Sequence, residues 1–187
     1  NRLEDEYSDI VGRSIDTELA VTAALAPIGS FRADFPGTGL DTQSNPTITN
    51  PLANQLRMVA RLIAARATFG VKRQVFFVAL GGFDTHGDEL ALQPKLLSML
   101  DDGLDAFYRK TVALGVGPSV TTCTASDFGR TYTCNGSGSD HGWGGHHLVV
   151  GGSVVGGRLY GTIPAAGLSG GNLTLVESGD VNFKLGQ

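Results

Sequence analysis

The sequence contains few cysteines, no excess of basic residues and no long apolar run, and each of these scarcities excludes a class of protein. Because only two cysteines occur, Cys123 and Cys134, a zinc site made of thiolates is excluded, while a disulfide and two buried thiols both remain open. The formal net charge of −4 provides no basic face for nucleic acid. No apolar run reaches the roughly 18 residues that a membrane-spanning helix needs, so none is predicted.

Glycine, in contrast, is abundant. The chain has 27 glycines in 187 residues, whereas the average share in proteins is about 7%. They cluster in GGFDTHG, NGSGSDHGWGG and VVGGSVVGGRLYG. The first two clusters contain or closely precede all four histidines, which indicates a backbone held close to a ligand. We interpret the third cluster as turns and bulges.

Hydrophobic periodicity divides the chain into helices and loops. Three helices are predicted, at about residues 3–25, 51–69 and 93–114. Residues 28–50 are rich in Gly, Pro, Asn and Thr and are predicted to form a long loop. On the second helix, Arg57, Arg61 and Arg66 are placed on the solvated face, opposite the apolar stripe.

Two short apolar runs, QVFFVAL (74–80) and SVTTCTA (119–125), are predicted to be strands. With the third helix between them they form a βαβ unit, whose strands are parallel. The chain is therefore predicted to be a single α/β domain, a mostly parallel sheet flanked by helices, spanning residues 1–187.

Candidate metal ligands stand where the two predicted strands end. Asp84 and His86 follow the first strand, and Asp127 follows the second. Since ligands bind beyond the carboxyl ends of parallel strands, we expect these three side chains to share one crevice. A cation would also remove the repulsion between close-set aspartates.

The His- and Gly-rich loop at residues 126–147 adds further histidines to this edge. His141 or His146 can supply one more ligand, whereas His147 begins the run HLVV and should alternate away from His146. Carboxylate and imidazole ligands without thiolate suit a divalent ion, with zinc or manganese favoured over iron and calcium. The predicted ligands of a single divalent ion are Asp84, His86, Asp127 and one of His141 and His146.

Two long stretches carry a resemblance to a known family: LGGFDTHGDELALQPKLLSMLDDGLDAFYRKTVALGV and TASDFGRTYTCNGSGSDHGWGGHHLVVGGSVVGGRLYG. Over about residues 50–165 the chain resembles bacterial family 1501 of the domains of unknown function. Members of that family are generally longer and have a leader for twin-arginine export, which implies a periplasmic or extracellular location. The chain resembles their C-terminal portion, so an N-terminal sheet strand is expected to be missing.

That family in turn resembles the superfamily of alkaline phosphatases, sulfatases and cofactor-independent phosphoglycerate mutases. The resemblance implies an alkaline phosphatase-like fold, although Phe128 stands where the superfamily has a metal-binding histidine. It also implies a metal-dependent hydrolase of phosphate or sulfate esters, in which Arg130 either binds the anionic group or forms a salt bridge. The alternative is an exported, non-catalytic, metal-containing binding or structural protein of the same fold.

Overall fold

A computed structural model describes residues 2–39, 48–142 and 144–161, together with three strands at residues 165–169, 172–176 and 182–184. The chain divides into two units, Asn1–Ala79 and Leu80–Gln187. The first unit is helical, and the second combines one long helix with short strands. Among the described residues, no helix is both long enough and apolar enough to cross a membrane.

The first unit is organised around its helices. These are α1 (Arg2–Leu25), a 3₁₀ helix (Arg32–Asp34) and α2 (Pro51–Ala64). α2 begins where predicted because the side chain of Asn50 accepts a hydrogen bond from the backbone N–H of Ala53 at 3.0 Å. It ends earlier than predicted, and residues 65–70 continue as turns. Part of the predicted loop, residues 40–47, lies outside the described residues.

The apolar face of α2 forms most of the buried core of the first unit. Its buried apolar residues are Leu52, Ala53, Leu56, Val59, Ala60 and Ile63. Their spacing of three or four residues is that of one helix face, as the sequence predicted. Just beyond α2, Ala65 packs with Ala24 and Leu25 at the end of α1.

The prediction that Arg57, Arg61 and Arg66 lie on a solvated face is wrong for Arg57. This side chain is only 7% exposed. Its guanidinium donates a hydrogen bond of 2.8 Å to the carbonyl of Ser30 and one of 2.9 Å to Oδ1 of Asn54. The segment after α1 covers this face of the helix and supplies carbonyl acceptors, a long-range contact that helical periodicity does not reveal. Arg66 is exposed, as predicted.

The second unit begins with α3 (Glu89–Ala113), which starts about one turn before the predicted residue 93. Its inward face is close to the prediction, since Leu104 and Phe107 are buried and Leu100 is partly buried. Leu97, also placed inward by the sequence, is 49% exposed. The helix contacts a 3₁₀ helix at Gly117–Ser119 and the strand β4 (Val149–Gly151).

The strands show that the predicted sheet is wrong. Those of the second unit are β1 (Thr121–Cys123), β2 (Gly129–Cys134), β3 (Ser139–Gly142), β4, β5 (Ala165–Ser169), β6 (Asn172–Val176) and β7 (Asn182–Lys184). β1 pairs with β4, β2 with β3, and β5, β6 and β7 form a three-stranded sheet, every ladder being antiparallel. The described residues therefore contain no mostly parallel, alkaline phosphatase-like sheet flanked by helices.

The physical reason lies in what the two predicted strands pair with. The strand at 119–125 exists in shortened form as β1, but its partner β4 comes from later in the chain. Residues 74–80 form no ladder with any described residue, and Phe77 is 96% exposed. Within this segment, the backbone groups of Ala79 are bound by the side-chain amide of Gln55. A continuous apolar run thus identified an extended segment without identifying a partner for it.

Both cysteines are free and exposed. Cys123 ends β1, and Cys134 ends β2. The structure therefore contains neither of the two arrangements that the sequence left open, a disulfide or a pair of buried thiols.

We expect Leu104→Ala to lower the free energy of unfolding by about 2–5 kcal/mol, because it removes a side chain that is only 9% exposed and leaves a cavity. Leu97→Ala, on the same helix, should cost less than about 1 kcal/mol. Urea denaturation of both variants measures the difference. Equal losses would show that α3 does not bury the face described.

Candidate metal centre

Three of the predicted ligands converge in the second unit. Asp84 and His86 lie on the turn that precedes α3, and His141 lies on β3. Oδ1 of Asp84 is 2.7 Å from Nε2 of His141 and 3.1 Å from Nδ1 of His86. One ligand atom from each residue lies within 4.8 Å of the other two. Among the described residues, these three form a cluster that could hold a metal ion.

The tip of the β2–β3 hairpin holds the turn that carries Asp84 and His86. The side-chain amide of Asn135 donates to the carbonyl of His86 at 2.9 Å. Ser137 accepts two backbone N–H groups at the start of α3: its Oγ accepts from Asp88 at 2.9 Å and its carbonyl from Glu89 at 3.1 Å. The hairpin therefore caps α3 from a distant part of the sequence, and this cap explains the early start of the helix.

Two local features explain this cap: Asp88 does not cap the helix itself, and Gly138 allows a close approach. Asp88 stands at the N-cap position with φ of 53°, and its own side chain makes no capping hydrogen bond. Gly138 approaches the turn so closely that a Cβ atom there would lie 2.6 Å from the carbonyl oxygen of Thr85. Only glycine leaves room for this approach.

Arg130 holds Asp84 from the side. It lies opposite His141 in the β2–β3 ladder, and its side chain is 17% exposed. Nη2 donates to the carbonyl of Phe83 at 2.8 Å and lies 3.2 Å from Oδ1 of Asp84, while Nη1 donates to the carbonyl of Ser139. The sequence left two roles open for this guanidinium, binding of an anionic group or a salt bridge. The structure contains a salt bridge with Asp84, which orients that carboxylate. Nε of Arg130 is buried without a hydrogen-bond partner among the described residues.

Phe128 orients His141. The two rings stack with centroids 4.6 Å apart and planes inclined by 15°. The guanidinium carbon of Arg130 lies 5.0 Å from the centroid of the Phe128 ring, a cation–π distance. The residue that replaces the histidine of the resembled motif therefore contacts a candidate ligand instead of being one.

The remaining candidates lie outside this cluster. Asp127 and His146 are exposed and do not belong to the three-residue group. Nδ1 of His147 lies 3.3 Å from Oγ1 of Thr124. Asp127 precedes β2 and His146 follows β3. Both residues therefore lie outside the two paired strands of the hairpin that carries His141. Trp143 lies outside the described residues.

Sequence reasoning missed Asn135 and Ser137 as positioning residues. The run NGSGS was interpreted as part of a glycine-rich ligand loop, and its turn residues are also those of a tight hairpin. A hairpin interpretation would have indicated that these side chains lie at its tip. The sequence contains no signal for the contact between that tip and α3, because the partners are 49 residues apart.

The electrostatics of the cluster favour an ionised carboxylate. The pKa of Asp84 is lowered, first by the hydrogen bond from His141 and then by the charges of His86, His141 and Arg130, while desolvation acts in the opposite direction. A lowered pKa in the folded state stabilises the fold above the ordinary carboxyl pKa, and this contribution is lost as pH falls through the lowered value. The side chains of Asp84, His86 and His141 are 57%, 49% and 50% exposed, so the contribution is screened by water.

Comparison with known proteins gives one match. The model of a family described as "Protein of unknown function (DUF1501)" matches residues 32–172, which include the whole cluster. No curated protein and no solved structure is significantly similar to the chain.

We expect Gly138→Ala to destabilise the protein by about 1–3 kcal/mol, because the added methyl group collides with backbone atoms of Thr85 and His86. Gly145→Ala is the matched control, since a Cβ atom there meets nothing within 4 Å, and should change stability by less than about 0.5 kcal/mol. Chemical denaturation measures both. A Gly138 variant as stable as the control would mean that the hairpin tip does not rest on the turn.

Proposed function

The chain belongs to the DUF1501 family, and from the geometry of its Asp84–His86–His141 cluster we propose that it binds a divalent metal ion. One observation supports this proposal above all. Two imidazoles and a carboxylate, drawn from segments more than 50 residues apart, place three ligand atoms within 4.8 Å of one another at an exposed position. Two histidines and one carboxylate are a ligand set that zinc and non-haem iron enzymes use.

The ligand atoms must move apart to hold a small ion. Bonds of about 2.0–2.2 Å separate two ligand atoms on a tetrahedral ion by roughly 3.3–3.5 Å. The observed separations from Asp84 are 2.7 Å to His141 and 3.1 Å to His86. The first must therefore lengthen by about 0.6–0.8 Å and the second by about 0.2–0.4 Å. Imidazole nitrogen favours zinc, manganese or iron over calcium.

The surrounding residues support the three ligands. Arg130 holds the carboxylate of Asp84, Phe128 stacks on the ring of His141, and Asn135 holds the backbone of His86. Partners of this kind orient the ligands of metal sites. Arg130 competes with a metal for Oδ1 of Asp84, because its Nη2 lies 3.2 Å from that oxygen.

We expect His141→Ala to weaken binding of Zn²⁺ by more than the roughly 10–100-fold that loss of an outer-shell partner costs. His147→Ala is the control, because its ring contacts Thr124 instead of the cluster, and it should bind zinc like the unmodified chain. Isothermal titration calorimetry on the full chain, with elemental analysis of the purified protein, measures both.

Binding should also weaken as pH falls below the ordinary histidine pKa of about 6.5. Protons then compete for the nitrogens that the metal needs, and binding releases those protons. Equal affinity at pH 5 and pH 8, or equal loss in the His141 and His147 variants, would contradict the proposed site.

A second candidate function is hydrolysis of phosphate or sulfate esters. The observation that favours it is the roughly half-exposed state of all three ligands, because catalytic metals keep positions open for water or substrate whereas structural metals are enclosed. A bound metal would polarise the ester oxygen and lower the pKa of a coordinated water. In this function Asp84, His86 and His141 hold the metal, and Arg130 acts through Asp84. Export to the periplasm or the cell exterior is proposed from the family resemblance alone.

Hydrolysis is tested with aryl phosphate and aryl sulfate esters, using the full chain loaded with zinc or manganese. We expect turnover that disappears in Asp84→Asn and survives in His147→Ala, because only the first variant removes the negative charge of a ligand. Stoichiometric metal without turnover of any ester would leave the metal proposal standing and support the non-catalytic alternative. Turnover that persists in Asp84→Asn would contradict the catalytic role of this cluster.

A further inference from the structure

The carboxylate of Glu89, the first residue of α3, makes two hydrogen bonds to other side chains. Its Oε2 accepts from Oγ of Ser139 at 2.9 Å, and its Oε1 accepts from Nε2 of Gln93 at 2.9 Å. Ser139 is 50 residues away in the chain, whereas Gln93 lies one turn further along the same helix. Both oxygens of this carboxylate therefore have a donor.

Ser139 connects Glu89 to the strand that carries His141. Ser139 and His141 are two positions apart on β3, so their side chains point to the same side of the strand. On that side Ser139 donates to Glu89, and Nε2 of His141 lies 2.7 Å from Oδ1 of Asp84. Ser139 is only 9% exposed, whereas His141 is half-exposed. The strand thus has a buried polar contact next to its exposed candidate ligand.

Gln93 connects Glu89 to the turn that carries the other two candidate ligands. Its Nε2 also lies 3.4 Å from Oγ1 of Thr85, a longer and weaker contact than the one with Glu89. Thr85 stands between Asp84 and His86 and is only 3% exposed, while the side chains of these two neighbours are about half-exposed. The turn therefore buries its middle residue and leaves both candidate ligands accessible.

Glu89 is the residue at which the contacts of the two ligand-bearing segments meet. Its backbone N–H donates to the carbonyl of Ser137 at 3.1 Å, so both its backbone and its side chain bind the β2–β3 hairpin. Without the carboxylate, the hydroxyl of the buried Ser139 would lose its acceptor, which is unfavourable away from water. The carboxylate thus gives β3 a preferred position relative to the helix start.

We propose that Glu89 is a positioning residue of the metal centre. Through Ser139 on one side and Gln93 on the other, its carboxylate fixes the distance between β3 and the turn. It thereby also fixes the distance between the ligand atoms that these two segments supply, as outer-shell partners do in other metal sites. The inference rests on the metal-binding function proposed above, and it assigns a role to a residue that is not one of the three clustered ligands.

The test is calorimetric titration of the full chain with Zn²⁺. Glu89→Ala should weaken binding by about 10–100-fold, the usual effect of losing an outer-shell partner. Glu89→Gln should stay within about threefold of the original, because an amide still offers an acceptor to Ser139 and a donor to the side-chain oxygen of Gln93. Asp101→Ala is the matched control, since it removes an exposed carboxylate about three turns further along α3, and should change the affinity less than about twofold.

A second variant removes the same contact from the other side. Ser139→Ala deletes only the hydroxyl and should weaken zinc binding in the same direction as Glu89→Ala. The double variant should bind zinc little more weakly than Glu89→Ala alone, because both changes remove one shared contact. Urea denaturation first establishes that each variant is folded under the titration conditions, so that a loss of stability does not enter the affinity. If Glu89→Ala does not fold, the comparison of Ser139→Ala with Glu89→Gln decides the question.

The outcomes separate this inference from the metal proposal. Zinc binding by the unmodified chain that is unchanged in Glu89→Ala and Ser139→Ala would overturn the positioning role and leave the metal proposal standing. Equal losses in Glu89→Ala and Glu89→Gln would show that charge matters instead of hydrogen-bonded position, and an equal loss in Asp101→Ala would show a general effect of charge on the helix. Either result would overturn the inference. A lack of zinc binding by the unmodified chain would contradict the metal proposal itself and this inference with it.

Discussion

The contact between the tip of the β2–β3 hairpin and the turn before α3 is the interaction on which the candidate site depends. Ser137 satisfies two N–H groups that the first turn of α3 would otherwise leave without partners. The same contact places β3 beside the turn, and it requires glycine at position 138 because a Cβ atom there would collide with the turn. His141 lies on β3 and Asp84 lies on the turn. The contact that caps α3 therefore also brings these two candidate ligands together.

The site is held together by backbone contacts and not by burial. Its three candidate ligands are half-exposed, while the groups that orient them bind carbonyl oxygens or stack on rings. An exposed ion pair contributes little to stability by itself. A metal that binds only the folded chain would therefore add stability to the turn and the hairpin.

Arginine side chains donate hydrogen bonds to backbone carbonyls in both units, but of these arginines only Arg130 also binds a carboxylate among the described residues. Arg130 binds two carbonyls and also a carboxylate, so its charge is compensated by Asp84. Arg57 and Arg61 bind backbone carbonyls, and Arg57 also binds the side-chain amide of Asn54, but neither has a carboxylate partner among the described residues. Guanidinium groups thus hold backbone carbonyls in both units.

The sequence by itself determined the features that depend on local physics. Helical periodicity located α1, α2 and α3, the Asn50–Pro51 pair marked the start of α2, and residue chemistry singled out Asp84, His86 and His141.

Only the tertiary structure decided which strands pair, in which direction, and which side chains meet. An apolar run indicates an extended segment, but its partner is chosen by contacts far away in the chain, so β1 pairs with β4 and residues 74–80 pair with nothing described. The same dependence on distant contacts leaves Asp127 and His146 outside the cluster and buries Arg57 on a face that periodicity assigns to water.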